Sequence, residues 1–104
     1  KIIPSLYYRE DNFLPIIQLF GPFREAVGKK EIVIPAQNIN ELIDIFIKQY
    51  KGLADLLLKK KVPLELKEDI IIFLNNTNIH FIDGLNTKLR ENDTVAIFPV
   101  MGGG

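Results

Sequence analysis

The sequence predicts an α+β roll, a mixed sheet of about five strands with one main helix packed across it. Short apolar runs bounded by Pro, Gly or Asn recur along the chain, as strands do. One stretch, residues 39–50, repeats its apolar residues at steps of three and four, as a helix does. The order reads strand, short helix, strand, helix, then three strands, without an internal repeat or linker. At 104 residues the chain suits one domain with a core of its own.

Residues 1–15 (KIIPSLYYREDNFLP) are expected to form an arm or an extra edge strand, because two prolines and Arg9-Glu10-Asp11-Asn12 break any pattern. The domain is assigned to residues 16–104. Ile16-Ile17-Gln18-Leu19-Phe20 is the first strand, closed by Gly21. Pro22 can open a short helix, with Phe23, Ala26 and Val27 on one face and Gly28 at its end. Glu31–Ile34 is the second strand, and Pro35 stops it.

In the main helix, Ile39, Leu42, Ile43, Phe46, Ile47 and Tyr50 make one apolar stripe. Asn38 suits the N-cap, Glu41 the capping-box position and Gly52 the C-terminal cap. Leu53, Leu56 and Leu57 suggest one or two further turns, and Lys59-Lys60-Lys61 reads as a solvated helix end in preference to an anion patch.

The last third reads as strands. Ile70–Leu74 is wholly apolar, Asn75–Asn78 is turn chemistry, and Ile79-His80-Phe81-Ile82 is expected to return as a hairpin strand. Leu85 and Leu89 can pin a connecting turn to the core. Glu91-Asn92-Asp93 turns the chain into Thr94–Phe98. On that strand Val95 and Ile97 share one face, and Ala96 and Phe98 the other.

Formal net charge is zero, so composition makes no electrostatic case for nucleic acid or an anionic membrane. No apolar run is long enough to span a bilayer, and no signal peptide is visible. The absence of cysteine removes a disulfide framework, a Cys-ligated metal and a cysteine nucleophile, and suits a cytoplasmic location. No metal site and no tightly bound cofactor are expected. His80, the lone histidine, has no visible carboxylate or nucleophile partner and reads as a strand-surface residue. Glu91 and Asp93 read as turn formers rather than paired catalytic carboxylates.

The chain ends Pro99-Val100-Met101-Gly102-Gly103-Gly104. Three terminal glycines cannot serve a core, and ordering them costs backbone entropy. The plain reading is a frayed terminus or an expression scar. The functional reading is a flexible thread, residues 99–104, able to enter a channel too narrow for any Cβ. From Val100 to Gly104, fully extended, it spans roughly 17 Å. Pro99 would stiffen its exit. With Phe98 on the open face beside it, Phe98 and Met101 read as part of a docking surface; the competing reading makes Phe98 core.

The element order together with this tail gives a β-grasp, or ubiquitin-like, roll. Leu19-Phe20-Gly21-Pro22-Phe23-Arg24-Glu25-Ala26-Val27-Gly28 resembles the opening of the molybdopterin synthase small subunit family. Phe73-Leu74-Asn75-Asn76 resembles its central strand and turn, and Leu89–Pro99 its acidic turn and last strand. The close, Phe98 to Gly104, is similar to the family's Phe-Pro-Pro-Val-x-Gly-Gly, with Val100 in place of the second proline and Gly102 before the usual pair. Residues 16–104 carry the resemblance.

That resemblance implies a sulfur carrier rather than an enzyme. A ubiquitin-activating-type adenylating enzyme would place AMP on the carboxylate of Gly104, and sulfur would then displace it to leave a thiocarboxylate. Both are transient covalent states. Gly102 and Gly103 would line the partner's channel, while Phe98, Pro99, Val100 and Met101 would meet the partner surface. The large synthase subunit would accept the sulfur in molybdenum or tungsten cofactor synthesis. The alternatives are a ubiquitin-like protein modifier, a sulfur carrier for tRNA thiolation or thiamine synthesis, and an interaction module without terminal chemistry.

Overall fold

The computed structural model describes residues 14–100. The arm or edge strand expected before the domain falls, up to Phe13, outside the described residues. The chain then forms β1 (Ile16–Leu19), α1 (Pro22–Val27), β2 (Glu31–Val33), α2 (Ile39–Gln49) and α3 (Leu53–Leu57). It continues as β3 (Leu58–Lys61), β4 (Leu64–Leu66), β5 (Ile70–Leu74), β6 (Thr77–Asn78) and β7 (Thr94–Pro99).

Five strands make a mixed sheet in the order β2-β1-β7-β5-β6. The central pair, β1 and β7, is parallel, with Ile17 opposite Val95 and Leu19 opposite Ile97. The other neighbours are antiparallel. A parallel pair needs a long crossover rather than a tight turn; here everything between β1 and β7 supplies it, including α2. This is the expected β-grasp roll.

The core lies between α2 and one face of the sheet. Ile17, Leu19, Val95 and Ile97 are fully buried there, with Ile72 alongside. The α2 stripe of Ile39, Leu42, Ile43 and Phe46 is also fully buried. Burying each such side chain contributes about 1.5–3 kcal/mol. The helix starts where its cap predicts. Asn38 Oδ1 accepts from the Glu41 N–H at 2.8 Å, and Glu41 Oε1 accepts from the Gln37 N–H at 2.7 Å. Its C-terminal cap is Tyr50, not Gly52. Gly52, at φ 86°, instead opens α3.

Two segments differ from expectation. Residues 79–82 do not form a strand. Asn75 and Asn76 adopt φ of 49° and 74° and make a two-residue hairpin loop by themselves, so Leu74 already faces Thr77. The return strand is therefore only β6. The Asn78 side chain then accepts from the His80 N–H at 2.9 Å and turns Ile79–Phe81 into a 3-10 turn. Ile79 is buried by this, while Phe81 and Ile82 stay exposed.

The second difference is Lys59-Lys60-Lys61, which belongs to a strand rather than to a helix end. β3 leaves α3 without a loop and pairs with β4 in a separate two-stranded ribbon. Leu58 is buried and the three lysines are exposed.

The turn before β7 is built from polar ties. Asp93 is largely buried; its carboxylate accepts from the Arg90 N–H at 2.7 Å and from Asn75 Nδ2 at 2.8 Å. Asn75 Oδ1 accepts from the Thr94 N–H at 2.9 Å. These bonds lock the β5–β6 turn to the start of β7, as turn-forming side chains do. Leu89 is buried and Leu85 packs against the core, as expected of the connecting turn. Among the described residues, no helix is long and apolar enough to cross a membrane.

Candidate functional site

The strand that leads to the tail separates core from surface residue by residue. Val95 and Ile97 have no exposure and face α2. Thr94, Ala96 and Phe98 therefore project from the opposite face. Phe98 sits across from Ile71, and Ala96 lies between Gln18 and Phe73. Phe98 is the middle of an aromatic trio, with ring centroids 5.7 Å from Phe20 and 5.3 Å from Phe73. Such tilted and edge-on pairs suit the ring quadrupoles.

This face stays partly open. Phe20 is 38% exposed, Ile16 37% and Val33 54%. Phe98 itself is half-buried, so its expected position on the open face holds and the reading of it as core does not. At the far end of the face, Gln18, Phe73, Asn75, Asn76, Thr94 and Ala96 line a shallow depression of about 300 Å³.

The tail leaves from the other end. Pro99 pairs with Ile70, and the Val100 N–H donates to the Asp69 carbonyl at 2.6 Å. A proline at position 100 could not make that bond, because it lacks the N–H. On the other side, the β1–α1 turn comes close to the Pro99 ring. A Cβ on Gly21 would lie 3.7 Å from Pro99 Cγ and Cδ. Gly21 adopts φ 58°, ψ −133°, which favours glycine. The root of the tail is thus held between two turns, and Val100 is the last residue described.

Of the residues singled out in the sequence, Phe98, Pro99 and Val100 are brought together at this exit. Met101, Gly102, Gly103 and Gly104 lie outside the described residues. The sequence reading missed Phe20, Ile71 and Phe73 as parts of the same surface. The available signal was alternation: Phe73 lies between Ile72 and Leu74, and both of those are buried.

Among the described residues, no acid–base pair is assembled at this face. His80 is exposed on the 3-10 turn rather than on a strand, stacked edge-on against Phe81 with centroids 5.6 Å apart. Among the described residues, no cluster of His, Asp and Glu could hold a metal ion. The arrangement is a half-open apolar face, built around Phe20, Phe98 and Phe73, with the chain passing through Pro99 and Val100 at its edge.

Comparison with known proteins decides the family. Residues 17–104 match the ThiS family. The chain belongs to the ThiS family. It is thereby a member of the ubiquitin-like sulfur-carrier group that its terminal blocks resemble. The chain is 30% identical over 91 residues to small archaeal modifier protein 3 of Haloferax volcanii, covering 85% of this chain and 96% of that one. It is 26% identical over 77 residues to the sulfur carrier protein CysO of Mycobacterium tuberculosis, covering 74% and 83%. The solution structure of small archaeal modifier protein 1 from Methanosarcina acetivorans superposes with a TM-score of 0.81 at 27% identity, covering 89% of this chain and 98% of that one.

Proposed function

We propose that this ThiS-family chain carries sulfur as a thiocarboxylate on Gly104 and delivers it as the small subunit of molybdopterin synthase. The observation that carries the reading is the half-open Phe20–Phe98–Phe73 surface from whose edge a tail ending in three glycines departs. The protein is a carrier that works with partner enzymes and not a catalyst by itself. It acts in the cytoplasm and requires no resident metal or cofactor.

A carboxylate is a poor electrophile, so the terminus must first be activated. A Gly104 carboxylate oxygen attacks the α-phosphorus of ATP on an adenylating enzyme, and pyrophosphate leaves. A persulfide sulfur then attacks the carbonyl carbon and AMP departs with the C–O bond. A second thiol cleaves the resulting S–S bond, becoming a disulfide with the donor and leaving the thiocarboxylate. This is covalent group transfer with the chain's own terminus as the attachment point. Gly102 and Gly103 let the thread pass a narrow channel, since neither has a Cβ. Phe98, Pro99, Val100 and Met101 meet the partner around the channel mouth. Fully extended, Val100 to Gly104 gives the terminal carboxylate a reach of roughly 17 Å.

The Leu19–Gly28 and Leu89–Pro99 blocks support the large synthase subunit as sulfur acceptor. A second reading is a protein modifier, in which the activated Gly104 carbonyl is attacked by a lysine amine. The relatives named as modifiers favour keeping it. Both readings require adenylation of the same terminus.

The test is to delete Gly104, or to append one residue to it, and to follow ATP-dependent pyrophosphate release with the adenylating enzyme. Deletion withdraws the carboxylate by roughly 3.4 Å, and a misplacement near 1 Å can already cost about a hundredfold in rate. Both variants should lose activity while melting like the parent. Retained activity in both would overturn the role of Gly104.

A further inference from the structure

Arg24 is fixed in place beside the aromatic trio. It lies on α1, one turn after Phe20, and is half-buried. Its Nε donates to the Leu19 carbonyl at 3.1 Å. Its guanidinium carbon lies 5.6 Å from the centroid of the Phe20 ring, within cation–π range. Phe20 in turn packs on Phe98. The side chain is therefore tied at Nε and across its plane. Among the described residues its two terminal nitrogens make no hydrogen bond and no ion pair. A guanidinium held this way keeps its outward donors in a fixed fork, and such a fork matches the two oxygens of a carboxylate.

We propose that Arg24 is the recognition cation of the aromatic face, positioned to pair with an Asp or Glu side chain at the edge of the apolar surface of the adenylating enzyme. This rests on the carrier reading above and deepens it. The adenylating enzyme is the partner because both fates of the tail require it. To take the terminus, it must cover the ground from which the tail leaves, and Phe20 borders that ground. At Gly21, the next residue, an added Cβ would meet the Pro99 ring at 3.7 Å, so the β1–α1 turn lies close to the root of the tail. A partner seated on Phe20 and Phe98 then excludes water from one side of Arg24, which strengthens its pairing with an opposing carboxylate. An apolar centre with a charged rim is the usual build of a specific contact, and the rim charge acts on partner choice and encounter rate. Arg24 touches no reacting atom, so it is a positioning residue.

The experiment uses the full chain and the adenylating enzyme, with ATP–pyrophosphate exchange as the readout at low and high salt. Arg24→Gln should raise the KM for the chain about tenfold at low salt and leave kcat within about twofold. Arg24→Lys should recover only part of the loss, because an ammonium keeps the charge without the planar fork. The KM of the parent should rise with salt more steeply than that of Arg24→Gln. Thermal melts of each variant separate recognition from damage to the β1–α1 turn. A parent-like KM and salt dependence for Arg24→Gln would overturn the proposal and leave Arg24 as a brace on Leu19 and Phe20. An equal loss in Arg24→Gln and Arg24→Lys, tracking a fall in melting temperature, would overturn it too. Self-association of the parent through this face, abolished by Arg24→Gln, would replace the enzyme partner with a second copy. If the parent itself supports no exchange, the carrier reading fails first and this pairing falls with it.

Discussion

Ile97 and Phe98 are neighbours on β7 that face opposite sides of the sheet, so substituting each in turn separates folding from the docking proposed for Phe98. Ile97 has no exposure and packs between the sheet and α2. Truncating it to Ala leaves a cavity in the core and costs about 2–5 kcal/mol. For a domain of this size that lowers the melting temperature by about 10 °C or more. Phe98 loses ring contacts with Phe20 and Phe73 when changed to Asp. Each such aromatic pair contributes about 0.5–1.5 kcal/mol, so the isolated domain loses about 1–3 kcal/mol. The new carboxylate meets water on the half-open face. Docked against a partner it would be buried unpaired, at a cost of about 3–5 kcal/mol, or about a hundredfold or more in affinity. Urea unfolding measures the first effect, and titration with the adenylating enzyme or the large subunit measures the second. Ile97→Ala should unfold early yet bind normally while folded, and Phe98→Asp should fold and fail to bind. Parent-like binding by Phe98→Asp would refute the docking role. A loss of stability in Phe98→Asp as large as in Ile97→Ala would return Phe98 to the core.

Three smaller predictions test the local chemistry. Asn76→Val should cost about 1–2 kcal/mol because a β-branched residue is forced to positive φ, whereas Asn76→Gly should be close to neutral; thermal melts of the pair decide it. Asn38→Ala should cost about 1 kcal/mol in urea unfolding through loss of the α2 cap, with the fold unchanged. Gly21→Ala should cost about 1–3 kcal/mol from backbone strain at its positive φ, since the added Cβ meets Pro99 at an ordinary 3.7 Å contact; unaltered stability would show that the turn relaxes freely.

The parts of the fold that were legible in the sequence are those where one period dominates. The α2 stripe from Ile39 to Phe46 and the alternation of Val95 and Ile97 with Ala96 and Phe98 could be read directly, because each buries one face only. Ile79-His80-Phe81-Ile82 misled because a short apolar run carries no period of its own. Its conformation depends on where the preceding turn closes, and Asn75-Asn76 close it two residues sooner than four turn-forming residues in a row suggest. The β3–β4 ribbon was hidden in the same way: Leu57-Leu58 continues the apolar run of α3, and three consecutive lysines show no alternation.

The candidate site was half legible. The alternation of its own strand placed Phe98 opposite Val95 and Ile97, but which of the two faces the helix covers was not written there. Phe20 and Phe73 join Phe98 only through the sheet order, which puts β7 between β1 and β5. The bond from the Val100 N–H to the Asp69 carbonyl, and the approach of Gly21 to Pro99, likewise depend on which turns meet at the end of β7. Strand neighbours of this kind are set by long-range pairing, which local pattern does not record.

The central claim is the chemistry of Gly104, and intact-mass analysis addresses it most directly. The parent chain is incubated with ATP, magnesium, the adenylating enzyme and a sulfur donor, and its mass and C-terminal peptide are then measured. The account predicts a protein heavier by the difference between one sulfur and one oxygen, with the change confined to the peptide ending in Gly104. No change in mass, with the adenylating enzyme shown to be active, would contradict it. Linkage of Gly104 to lysines of other proteins, without a thiocarboxylate, would put the modifier reading in its place.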